Sequence, residues 1–251
     1  MTQAQYGYII VTKIKLQHVT LFRNGGYMQS IKRDDYLQRL KDREQNGLVK
    51  IITGIRRCGK SYLLNTLFYE YLKEKGIKDD HIIKVSLDDD ENSDLLLPKA
   101  LSRYIKNLIV DDELYYILLD EIQLADNFVG VLNGLLKLPN VDVYVTGSNS
   151  KFLSTDIVTE FRGRGDEVRI LPLSFSEFMS VYDGSVMQGW KEYYTYGGLP
   201  LVLAQKSEEA KMNYLKGQLK NVYLNDIIDR NRIQNEEQIN AVLQILASSI
   251  G

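Results

Sequence analysis

Gly54-Ile55-Arg56-Arg57-Cys58-Gly59-Lys60-Ser61 sets two glycines on either side of four residues and follows the second with Lys and Ser, the spacing of a loop that cradles phosphate. The β-rich apolar run Leu48 to Thr53 leads into it, and Leu63, Leu64, Leu67, Phe68, Tyr71 and Leu72 follow at helical intervals. Strand, loop and helix, the context such a loop requires, are therefore all expected. The residue types have a physical reason. A triphosphate needs many donors at close range, and only backbone packs them that densely. Gly54 and Gly59 permit the unusual dihedrals and close approach, and successive N–H groups through Ile55, Arg56, Arg57, Cys58, Gly59, Ser61 and Tyr62 form an anion-binding nest. The following helix aims its positive end at the phosphates. Lys60 then reaches the β and γ phosphates and the Ser61 hydroxyl ligates Mg²⁺, which makes ATP with Mg²⁺ the expected ligand.

The rest of the chain has the bulk to support such a site. Its 251 residues, 44% hydrophobic, suffice for one large or two small domains with a sizeable core. A net charge of −2 and an isoelectric point near 5.8 give no global electrostatic case for nucleic acid, although a local basic patch would be hidden in that average. The lone Cys58 rules out an intramolecular disulfide. With no spanning apolar run and no secretory leader, the expectation is a cytoplasmic protein without membrane association. Cys58 itself reads as a plain loop residue, a reactive thiol near a helix N-terminus being the alternative. Residues 1–27 carry Lys13, Lys15 and Arg23, no acids and no periodicity. They read as a non-core extension, with Met28 as the expected natural start.

Further along, a helix is expected from Asp34, capped by Asp and closed by Gly47, then a second strand over His81 to Leu87. The acidic stretch Asp88 to Asp94 reads as a solvated loop in preference to a metal site, because nothing fixes its geometry. Pro98 opens a helix. The third strand, Leu114 to Leu119, is continuously apolar, as a strand buried on both faces should be, and ends in Asp120-Glu121. Carboxylates at that end of a central parallel strand project into the crevice where open α/β sheets bind ligand. Asp120 is the candidate Mg²⁺ ligand through water, and Glu121 the candidate base for the water that attacks the γ-phosphate. A fourth strand, Val141 to Thr146, runs into Gly147-Ser148-Asn149, where Ser148 or Asn149 can hydrogen-bond the γ-phosphate or that water; a turn with a helix cap is the alternative. The helical crossovers make the sheet parallel. A fifth strand is expected over Glu167 to Leu171. After Pro172 the pattern is helical throughout: Ser174 to Tyr182, Gly189 to Tyr196, Ser207 to about Asp229, and Glu236 to Ser249. The chain reads as residues 28–171 forming one domain and 172–251 a helical second domain cut short at Gly251. There is no internal repeat, and the 17 Tyr are dispersed instead of forming a base-stacking platform.

Taken together, the phosphate loop, Leu119-Asp120-Glu121-Ile122-Gln123, Thr146-Gly147-Ser148-Asn149-Ser150, Gly163-Arg164, Pro172-Leu173-Ser174-Phe175, Tyr196-Gly197-Gly198-Leu199-Pro200 and Asp226-Ile227 resemble a family of bacterial and archaeal AAA-type ATPases. The resemblance spans Met28 to Gly251. It implies a P-loop NTPase fold: a five-stranded parallel sheet of order 5-1-4-3-2 flanked by helices, followed by an all-helical lid and a further C-terminal domain that is absent here and is suspected of touching DNA or a protein partner. It also implies homo-oligomers in which Arg164, with Arg162 as a rival, reaches a neighbouring subunit's γ-phosphate; the alternative is that Arg164 pairs with Asp166 or Glu167. Gly198-Leu199-Pro200-Leu201 resembles the lid motif of signal-transducing nucleotide switches, making Pro200 a candidate base contact. The expected activity is Mg²⁺-dependent ATP hydrolysis coupled to lid and partner movement. A nucleotide-gated interaction module with little turnover is the second reading, and a small-molecule kinase a weaker third.

Overall fold

The computed structural model describes residues 23–24, 27–28, 30–147, 163–220 and 236–249. Two short strands, β1 (Arg23–Asn24) and β2 (Tyr27–Met28), pair antiparallel, Arg23 opposite Met28. The main sheet follows: β3 (Val49–Thr53), β4 (Ile82–Ser86), β5 (Tyr115–Asp120), β6 (Val141–Thr146) and β7 (Gly165–Arg169). Its spatial order is β4-β5-β6-β3-β7, and every pairing is parallel. Numbered within the sheet this is 2-3-4-1-5, the expected order read from the other edge. Helices α1 (Asp34–Lys41), α2 (Lys60–Glu74), α3 (Pro98–Leu108) and α4 (Phe128–Leu135) cover the two faces.

Strand alternation sends neighbouring side chains to opposite faces. On one side Ile51, Ile83, Val85, Ile117, Leu119, Val143 and Val145 pack with Leu101 and Ile105 of α3 and Leu132 and Leu135 of α4. On the other, Ile52, Ile82, Tyr116, Leu118, Tyr144 and Val168 meet Leu40 of α1 and Leu64, Phe68 and Leu72 of α2. β5 is buried at all six residues, as its unbroken apolar run requires. β7 lies at an edge, where only Val168 of Gly165–Arg169 is buried, so hydrophobicity does not mark its start. It begins two residues earlier than the sequence suggests because Gly165 pairs with Val49. The Asp34 cap is also replaced: Arg33 holds the cap position of α1 without a side-chain capping bond, and Asp34 and Asp35 occupy the first turn, where carboxylates meet the positive helix end.

The run read as apolar contains a charge at its centre. Lys50, fully buried in β3, pairs with Asp142 of β6 and donates to the Leu48 carbonyl at 2.9 Å. Asp142 also accepts from Gln45 N–H at 2.9 Å and Tyr144 Oη at 3.0 Å. Asp142→Asn keeps the shape but leaves a buried ammonium without its counter-charge, a loss of about 3–5 kcal/mol. In thermal unfolding the variant should melt roughly 10 °C below the parent; a melt within a degree would mean the pair contributes nothing.

Beyond β7 come α5 (Phe175–Met179), α6 (Val186–Tyr196), α7 (Pro200–Leu203), α8 (Glu208–Gln218) and α9 (Glu236–Ser249). Capping boxes open α5 (Ser174 with Glu177) and α6 (Ser185 with Gln188). The α6 box starts that helix before the expected Gly189, through Val186 and Met187, which are exposed and so carry no burial signal. The Tyr196-Gly197-Gly198-Leu199-Pro200 turn docks on the segment between β7 and α5: Leu173 N–H donates to Gly198 O at 2.8 Å, Tyr193 Oη donates to Leu173 O at 2.8 Å, and a Cβ on Gly198 would lie 2.2 Å from that same oxygen. No helix among the described residues is long and apolar enough to cross a membrane.

Candidate phosphate-binding site

β3 ends at Thr53 and delivers the chain into the loop at the C-terminal edge of the sheet. Gly54 takes φ 154°, and a Cβ there would sit 2.6 Å from Ile170 O and 2.8 Å from Cys58 Sγ, so a larger residue would push the loop off the sheet. Arg57 (φ 64°) and Gly59 (φ 102°) adopt left-handed conformations, and Cys58 N–H closes a turn onto Ile55 O at 3.3 Å. Ile55, Arg56 and Arg57 face solvent while Cys58 points inward, packed with Ile52, Leu63, Val168 and Ile170. Burial pushes its thiol pKa up despite the nearby Lys60 and Arg33 charges, which is the state of a packing residue and not of a reactive thiolate.

Gly59 caps α2, which runs as α-helix over Lys60–Tyr62, as a π-helical turn over Leu63–Phe68, and as α-helix again over Tyr69–Glu74. Lys60 is only 4% exposed, and its Nζ donates to Gly54 O and Ile55 O at 3.2 Å each. From the same helix Ser61 Oγ donates to Asp120 Oδ1 at 3.1 Å, and Asn65 Nδ2 to Asp120 Oδ2 at 3.1 Å. Thr146, at the end of β6, donates its hydroxyl to Asp120 Oδ1 and accepts the Glu121 N–H at 2.9 Å. Asp120 is thus 1% exposed yet held at both oxygens. Burial raises its pKa, and the Glu121 and Asp88 charges push the same way, while the Thr146 and Ser61 hydrogen bonds oppose them without reversing the shift.

Glu121 has φ 52°, costly for a residue with a side chain and of a kind that concentrates at functional sites. Its half-exposed carboxylate accepts a hydrogen bond from Gln123 Nε2 at Oε2. The structure therefore brings Gly54, Gly59, Lys60, Ser61, Asp120 and Glu121 together. Tyr62 lies half-buried in the first turn of α2, and Pro200 is buried as the first residue of α7. Ser148, Asn149 and Arg162 fall outside the described residues. Arg164 sits just before β7, opposite the phosphate loop across the length of the sheet; its carbonyl accepts Val49 N–H and its Nη1 donates to Asn133 Oδ1 at 2.9 Å. The expected alternative pairings are taken by others, Asp166 by Arg43 at 2.9 Å and Glu167 by Thr53. Asn65 has no mark of its own in the sequence, and Thr146 and Gln123 stand there only inside longer motifs, without an assigned role. Asn65 is legible only as a polar residue on the buried face of an apolar helix.

Residues 46–179 match the family model described as AAA domain, and 187–251 match a domain of unknown function. An uncharacterized protein of Haemophilus influenzae is 32% identical over 227 residues, covering 88% of this chain and 56% of that protein. One of Methanocaldococcus jannaschii is 31% identical over 217 residues, covering 79% and 46%. The chain thus spans about half the length of these curated relatives. A Walker-type ATPase of Pyrococcus abyssi shares the fold with a TM-score of 0.52 at 16% identity, over 86% of this chain and 79% of that one.

Proposed function

Because the chain belongs to the AAA domain family of P-loop ATPases, we propose that it binds ATP with Mg²⁺ and hydrolyses the β–γ bond, coupling that reaction to movement of its helical domain and of a partner. One observation carries the reading. Lys60 is a buried ammonium whose described partners are two neutral carbonyls of the loop itself, an arrangement that a phosphate oxygen improves at once. The residues also fit a magnesium ion: Ser61 hydroxyl and Asp120 carboxylate lie 3.1 Å apart, so Ser61 would ligate it and Asp120 would hold it through water. When bound, the ion neutralises charge on the phosphate oxygens.

The chain's own part is then positioning and proton transfer. The loop N–H groups orient the triphosphate, Lys60 exchanges carbonyl oxygens for phosphate oxygens, and Thr146 fixes Asp120 and Glu121 in one frame. Glu121 accepts the proton of the attacking water at its carboxylate. We assign Asn149 to that water or the γ-phosphate, Pro200 to the base, and Arg164 to the neighbouring subunit's phosphate. A small-molecule kinase is a weaker reading, as the acid pair suits water activation. The switch reading draws on the Gln123 hydrogen bond to Glu121, which competes with water for the base. DNA or a protein remains the proposed partner, with the cytoplasm as the site of action.

Multiple-turnover phosphate release separates these readings. Hydrolysis should require Mg²⁺ and stop with EDTA, and its specific rate should rise with protein concentration if Arg164 acts between subunits. Nucleotide binding with no release beyond one equivalent would establish the switch instead.

A further inference from the structure

A guanidinium behind the phosphate loop joins it to the helical domain. Arg33 is 3% exposed. Its Nη1 donates to the loop carbonyl of Cys58 at 3.1 Å and its Nη2 to Leu171 O, on the linker after β7, at 2.7 Å. Its Nε lies 2.8 Å from Glu177 Oε1 on α5, an ion pair in which the Nε–H itself is not aligned on an acceptor, and its Cζ stands 4.6 Å from the centroid of the Tyr36 ring. A Cβ built on Gly59 would be 3.7 Å from Nη1, so the group touches the loop at the turn that feeds Lys60. Contact is made through a carbonyl, which leaves the loop's N–H groups to a ligand.

Glu177 is itself divided. One carboxylate oxygen takes Arg33, and the other accepts the Ser174 N–H at 2.8 Å, completing the box that starts α5. Next to Arg33, Ile31 packs with Leu173 and Phe178 in the core of the helical domain.

We propose that Arg33 is a positioning residue that couples occupancy of the phosphate loop to the placement of α5. The proposal rests on the nucleotide-binding reading above. Guanidinium is planar and presents its donors in a fixed fork; two of its N–H groups bind Cys58 O and Leu171 O and its charge pairs with Glu177, so the three cannot shift independently while all are held. When Lys60 leaves the carbonyls of Gly54 and Ile55 for a phosphate, the loop carbonyls reorient. Arg33 carries the displacement at Cys58 O to the Glu177 carboxylate, and the turn of α5 moves with it. A lysine has one donor group on a flexible stem and cannot span the two carbonyls and the carboxylate together.

Two variants isolate the link. Glu177→Gln retains a side chain that serves a capping box, but with its oxygen on Ser174 N–H it turns an uncharged NH2 donor toward Arg33, so the ion pair is lost. Arg33→Lys removes the fork from the other side. The measurement is amide hydrogen exchange over residues 54–62 and 174–182, with and without a non-hydrolysable ATP analogue and Mg²⁺. In the parent, nucleotide should slow exchange in both segments, by about fivefold or more over 174–182, the low end of measured coupling factors. In either variant the loop should remain protected by nucleotide while the ratio over 174–182 falls to about one. A merely structural role would speed exchange of α5 equally with and without nucleotide and leave the ratio intact, which overturns the proposal. So does a parent that protects the loop but not α5. A parent that protects neither has failed to bind nucleotide, and then the functional reading falls first.

Discussion

Lys60→Ala weakens ATP binding by about a hundredfold while leaving the apo protein folded. The two outcomes together separate a binding role from a structural one. The ammonium is the charge that α2 carries into the loop, and its loss removes charge-assisted hydrogen bonds to the phosphates worth about 3 kcal/mol, roughly a hundredfold in affinity. In the apo protein the exchange is nearly balanced. Two hydrogen bonds to Gly54 O and Ile55 O disappear, but so does the cost of holding an ammonium at 4% exposure without a carboxylate partner among the described residues. Titration with a fluorescent ATP analogue should show the loss, and thermal unfolding should move by no more than a few degrees. Unchanged affinity would mean that the triphosphate is held elsewhere.

Glu121→Gln has the opposite signature: nucleotide stays and turnover goes. The amide is nearly isosteric, so it keeps the φ of 52°, the backbone N–H bond to Thr146 at 2.9 Å and an oxygen that can still accept from Gln123. Only the basicity is lost. General-base contributions run at about 10²–10⁴-fold, and phosphate release should fall within that range while the dissociation constant changes little. Because the substitution also removes a negative charge beside Asp120, a modest tightening of Mg²⁺-nucleotide is consistent with the same role. Equal turnover in parent and variant would reduce Glu121 to a turn residue and strengthen the switch reading.

What could be read from the chain alone was whatever is local and periodic. Gly54 and Gly59, followed by Lys60-Ser61, specify a loop because glycine alone tolerates its backbone at those two positions. Pro98 opens α3 where it was expected, and the apolar run before Asp120 has the burial of a central strand. The sheet order is a different case: it followed from a resemblance to a family, because pairing of distant strands leaves no periodic trace. Where neighbours supply the reason, the chain was silent or misleading. Lys50 looks like an interruption in an apolar strand until Asp142 is found beside it, 92 residues away. Gly130, costly inside a helix by propensity alone, leaves room for the Asn127 side chain, whose Nδ2 would lie 2.7 Å from a Cβ there. The start of β7 reads two residues late because an edge strand buries little. Asn65, Thr146 and Arg33 are ordinary polar residues in sequence, and only the tertiary fold makes them parts of a site. A hydrogen bond acts over about 3 Å, and Arg33 meets Leu171 across 138 residues of chain. That distance is closed by the pairing of β7 with β3, which no local pattern encodes.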